Sequence, residues 1–137
     1  MDTQRAREIA FKILYELEIR GENGISNLLA LHLQEENLSP KAAEFVTWIA
    51  AGVHAQTAEY NAIIEKNLQG WKLERVSKLS IAAIKLALFE IENNDKINAS
   101  MAIAEAVKLS VKYEGEEASA FVNGVLGNYV RGKNKDN

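Results

Sequence analysis

The side chains best equipped for chemistry in this sequence do not gather into a catalytic or metal-binding pattern. The two histidines, His32 and His54, fall on different expected helices and are read as surface or boundary residues rather than as a metal pair. Cysteine is absent, which removes thiol catalysis, disulfide frameworks and zinc-ribbon ligation together. Glu116 and Glu117 are adjacent carboxylates. In the first turn of an expected helix they are accounted for by the helix dipole rather than by acid–base work on a glycosidic bond. Gly124-Val125-Leu126-Gly127 lacks the partner positions of a nucleotide fingerprint and lies inside an expected helix. No catalytic residue, metal ligand or cofactor is assigned, and a non-enzymatic protein is expected.

The elements that would position any functional side chain are helices. One proline and eight glycines in 137 residues leave long windows uninterrupted, and 47% of the chain is apolar, enough for a core without metal or disulfide staples. Net charge is −3, so any contact with nucleic acid must come from a local patch rather than from bulk charge. No stretch approaches the eighteen apolar residues of a membrane span, and no basic region followed by an apolar one opens the chain. Neither a span nor a signal peptide is expected, and the setting is read as cytoplasmic.

Ala6, Ile9, Ala10, Ile13, Leu14 and Leu17 follow a helical period, which Gly21-Glu22-Asn23-Gly24 breaks as a loop would. A shorter helix is expected from Ile25 to about Glu36. Ser39 as N-cap and Pro40 at the first helical position then open a long helix that Gly70 ends. Gly52 within it either bends it or lets another helix approach closely. Trp71 to Lys78 reads as a short helical connection. Leu79 to Ile91 is apolar nearly all round, the pattern of a buried central helix. Asn98 caps a helix through Lys112, Gly115 separates it from a last helix of about 116–130, and 132–137 reads as a frayed polar tail. The expectation is one all-α domain over 1–137, a bundle of six or seven helices.

Four segments carry a resemblance to a known family. Arg5-Ala6-Arg7-Glu8-Ile9-Ala10 with Leu14-Tyr15, Trp71-Lys72-Leu73-Glu74-Arg75-Val76, and Ile84-Lys85-Leu86-Ala87-Leu88-Phe89-Glu90-Ile91 resemble the opening helix, the entry to the central helix, and the central helix of NusB-family proteins. Ala102-Ile103-Ala104-Glu105-Ala106-Val107 and then Phe121-Val122-Asn123-Gly124-Val125-Leu126 are similar to the family's final two helices; the second string is the most specific. The resemblance implies two packed three-helix bundles. It also implies a transcription antitermination adaptor that binds boxA-like single-stranded RNA together with NusE, a small-subunit ribosomal protein, within the RNA polymerase antitermination complex. A homodimer that buries the RNA surface when the protein is free is a further implication.

Within that resemblance, Arg5 and Arg7 are candidate RNA contacts because guanidinium presents a fork of donors; the alternative is a solvated helix face. Phe121 is a candidate stacking platform, although Ala118, Phe121, Val122, Val125 and Tyr129 also make an ordinary core stripe. Asn123 could bond a base edge, and Lys112 and Ser119 could add phosphate contacts. Glu74, Arg75, Lys78, Lys85 and Tyr113 are the candidates for the NusE surface. Two other readings stay open: a protein-interaction bundle with weak RNA binding, and the domain that precedes the catalytic domain of some ribosomal RNA cytosine methyltransferases.

Overall fold

The apolar run at the centre of the chain forms the helix on which the others pack. In the computed structural model, which describes residues 2–21 and 24–135, helix α5 (Lys78–Asn93) is buried without interruption from Ser80 to Glu90. Around it stand α1 (Thr3–Arg20), α2 (Ile25–Glu35), α3 (Pro40–Ala55), α4 (Thr57–Glu65), α6 (Ala99–Tyr113) and α7 (Glu116–Lys135), with a 3₁₀ turn at Leu73–Arg75. Among the described residues these seven helices and the turn are the only regular elements. Helices α1, α2 and α3 pack on one another, as do α5, α6 and α7, and α5 joins the two groups through α1 and α3.

Polar caps place the helix starts. Ser39 Oγ accepts from the Ala42 N–H with Pro40 in the first turn, and Ser77 Oγ accepts from the N–H groups of Leu79 and Ser80. Asn98 Oδ1 accepts from the Met101 N–H at 2.8 Å. Gly115 adopts φ 106°, the left-handed conformation that lets α6 stop and α7 start within one turn.

Two boundaries differ from the sequence reading. The long helix expected from Pro40 toward Gly70 is two helices, broken at Gln56 (φ −106°, ψ 11°). No glycine or proline marks the break. The reorientation of α4 instead seats Tyr60 and Ile64 in the core and brings the Tyr60 hydroxyl to Glu92 at 2.8 Å on α5. The last helix continues through Lys135, past the end expected near Val130, so the polar tail 132–137 is helical as far as it is described. Residues 136–137, and Glu22 and Asn23 of the first loop, lie outside the described residues.

Gly52 allows close approach rather than a bend. A Cβ there would overlap the Phe89 ring, which is itself wedged edge-on against Trp48 at 4.8 Å between centroids. Gly52→Ala should therefore destabilise the domain by about 1–3 kcal/mol, the cost of overpacking. A urea midpoint equal to that of the parent would show that the ring can move aside freely.

Candidate functional site

Helix α7 carries Glu117, Ala118 and Phe121 on one face, because residues spaced by three and four positions share a side of a helix. That face forms one wall of an open groove of about 700 Å³. The opposite wall is the segment between α4 and α5, with Leu68, Trp71, Arg75 and Val76, and Ser80 and Glu114 close the end. Phe121 is half-buried against the core, whereas Trp71 is 65% exposed. The Ser80 hydroxyl donates to Glu114 Oε1 at 2.9 Å. The groove thus offers two aromatic faces, a guanidinium and two carboxylates in a space open to solvent.

A second, smaller cleft of about 250 Å³ lies between α1 and α6, lined by Arg7, Glu8, Glu105, Lys108 and Lys112 among others. There Lys112 Nζ donates to both Glu8 oxygens, at 2.7 and 3.0 Å, and the Tyr113 hydroxyl donates to Glu8 Oε2 at 2.5 Å. The hydrogen bonds from Lys112 and Tyr113 hold the Glu8 carboxyl below the usual range against the opposing effect of burial. Burial, then the bond to Glu8, pushes the Tyr113 phenol up to about 12.

The structure separates the residues singled out from the sequence. Phe121 and Arg75 line the groove; Lys112 and Tyr113 face the α1–α6 cleft. Glu74 is exposed and Lys78 half-buried near the groove's entry segment. Arg5 is exposed, and its guanidinium donates to the Glu36 carbonyl at 2.9 Å and to Glu36 Oε2 at 3.2 Å.

Four positions need correction. Arg7 is not an available RNA contact: it is 5% exposed and donates from Nε and Nη2 to the two Glu90 oxygens at 2.5 and 2.9 Å. Burial opposes its charge, but the Glu90 bonds and the charges of Glu90 and Glu105 outweigh this and raise its pKa. Lys85 is not an available partner contact: it is 1% exposed, donating to Glu18 Oε2 and Thr57 Oγ1, both at 2.6 Å. Ser119 turns inward and donates to the Glu116 carbonyl at 2.7 Å, closing the first turn of α7. Asn123 sits about 160° around α7 from Phe121 and is exposed on another face, outside the groove.

The matches to known proteins agree with this architecture. The family model of the NusB family matches residues 4–131. The chain belongs to the NusB family. A NusB-family relative from Acetivibrio thermocellus, named transcription antitermination protein NusB, is 38% identical, covering 97% of this chain and 91% of its own. The NusB structure from T. maritima superposes with a TM-score of 0.85 at 26% identity, covering 93% of this chain and 89% of that one. A crystal structure of the antitermination factors NusB and NusE in complex with dsRNA gives a TM-score of 0.80 at 28% identity, over 93% and 96% of the two chains.

Two features of this NusB-family site escaped the sequence reading. The sequence reads Trp71 as part of a connection, whereas it lines the groove; the signal is a large aromatic between Gly70 and Lys72 with no apolar period around it. The ion pairs that Lys85 makes with Glu18 and Glu90 with Arg7 had a signal too, since a charge on a helix that is apolar all round has no solvent face and needs a partner.

Removing one member of the Arg7–Glu90 pair strands a buried charge, so Arg7→Ala should cost about 3–5 kcal/mol in chemical denaturation. A loss under about 1 kcal/mol would mean that Glu90 is hydrated in the variant. The raised Tyr113 pKa means that its contribution is complete below the ordinary tyrosine value of about 10 and is lost as pH rises through about 12. Glu8 contributes above the ordinary glutamate value, and this is lost as pH falls through its lowered pKa. The urea-midpoint difference between the parent and Tyr113→Phe should accordingly shrink as pH is raised from about 9 toward 12. A constant difference across that window would contradict the assignment.

Proposed function

We propose that this chain is a transcription antitermination factor that binds boxA-like single-stranded RNA together with NusE. The observation that carries the reading is the groove in which Phe121 and Trp71 are both accessible beside Arg75. Unpaired bases stack on aromatic faces irrespective of phosphate charge, which suits a chain of net charge −3. Membership of a family whose relatives are named antitermination proteins, and the likeness to a structure of NusB with NusE and dsRNA, support the same reading. No helix among the described residues is long and apolar enough to cross a membrane. Read-through by RNA polymerase, a cytoplasmic setting, and a homodimer that covers the groove in the free protein belong to the same proposal. Glu74, Arg75 and Lys78, exposed or half-buried at the approach to α5, are the positions proposed to face NusE.

Fluorescence anisotropy with a short boxA-like RNA and a scrambled control, with and without NusE, tests the proposal. Selective binding that tightens with NusE is expected, with a shallow salt slope of about −0.7 for each phosphate contacted. Phe121→Ala should weaken RNA binding about 5- to 150-fold, the worth of one stacked base, while leaving the fold intact. Lys78→Glu should weaken NusE binding alone. Equal affinity for both RNAs in both conditions would replace this reading with a protein-interaction bundle.

A further inference from the structure

The α1–α6 cleft holds a cation that is exposed yet already occupied. The Lys112 side chain is 61% exposed, while its partner Glu8 is 24% exposed and anchored by the Tyr113 hydroxyl. Lys112 Nζ meets both carboxylate oxygens of Glu8, much as it would meet two oxygens of a phosphate. The other cations of the cleft are also matched: Arg7 by Glu90, and Lys108 by Glu105 at 3.7 Å. Lys112 and Glu114 lie two residues apart where α6 ends, Lys112 lining the cleft and Glu114 the aromatic groove.

We infer that Glu8 is an internal stand-in for an RNA phosphate, masking Lys112 until a strand held in the aromatic groove presents a backbone phosphate to it. The inference rests on the RNA reading above. An exposed lysine–carboxylate pair is weak, so Lys112 is readily released to a new anion. Glu8 cannot follow, because α1 fixes its backbone and Tyr113 its carboxylate. A phosphate that takes Lys112 therefore lies next to a retained negative charge. Phosphates alone gain little from the exchange. A strand already anchored by stacked bases tolerates the repulsion, so the mask suppresses sequence-independent binding more than selective binding. Glu8 is a specificity-determining residue that acts through Lys112.

The test is anisotropy with the boxA-like and scrambled single-stranded RNAs on the parent, Glu8→Gln, Lys112→Gln, Phe121→Ala and the Glu8→Gln/Lys112→Gln double variant. Glutamine keeps the shape of Glu8 and an acceptor for Tyr113, and a thermal melt of each variant verifies the fold. Glu8→Gln should raise affinity for the scrambled RNA about 3- to 10-fold and for the boxA-like RNA less, narrowing selectivity. It should also steepen the salt slope by up to about 0.7, one phosphate's worth. The double variant should lose the gain. If the parent binds RNA in a Phe121-dependent way and Glu8→Gln binds no tighter, the masking role is wrong and the RNA reading stands. A gain that survives in the double variant removes Lys112 from the account and overturns the inference. Absence of binding by the parent and every variant overturns the RNA reading and this inference with it.

Discussion

A helix buried on all sides can carry a charge only if another element reaches in to neutralise it. The buried stretch of α5 carries two, Lys85 and Glu90, and α1 supplies a partner for each, Glu18 for the lysine and Arg7 for the glutamate. The two pairs have opposite polarity, so sliding or reversing α1 against α5 sets like charges together in a medium where that is costly. Buried ion pairs add little net stability over well-packed apolar groups, but breaking one is expensive. Their effect in this domain is on register: α1 has one arrangement on α5 that leaves no charge stranded, and the neighbouring helices inherit it. The Phe45 ring, 5.7 Å from the Arg7 guanidinium, ties α3 into the same joint.

That solution limits what is left for a ligand. The opening helix reads as a basic element, yet Arg7 is committed to the core joint, Arg5 to Glu36, and its neighbour Glu8 holds Lys112. Cations paired in this way add little to the attraction of a polyanion by charge alone. What remains accessible and unmatched in shape is aromatic: the Phe121 and Trp71 faces across the groove. Arg5 and Arg7 of α1 are thus committed to the protein's own carboxylates, while Phe121, Trp71 and Arg75 line the open groove.

Much of the architecture was legible because it follows from local rules. Ser39-Pro40 and Asn98 start helices, Gly115 separates two, and the unbroken apolar run of α5 announces its central position. The break at Gln56 was not legible, because α4 turns to meet Glu92 and the core rather than in response to any residue at the break. The role of Arg7 was hidden for a similar reason: its partner lies 83 residues away, and a guanidinium on an amphipathic helix reads the same whether it faces water or a carboxylate. Ser119 and Asn123 are close to Phe121 in sequence but not in the direction their side chains take. Helical geometry turns one toward its own backbone and the other away from the groove. Phe121 packs against the core and also lines the groove.

The end of α6 shows how such a small domain can couple two surfaces without moving parts. Within three residues, Lys112 and Tyr113 reach α1 through Glu8, and Glu114 reaches α5 through Ser80. Gly115 then reverses the chain into α7, whose first turns carry Glu117 and Phe121 into the groove. Cleft and groove therefore share one rigid corner, fixed by hydrogen bonds to two different core helices. Because the corner is held by α1 and α5, the ion pairs that join those two helices also fix how the end of α6 sits against both of them.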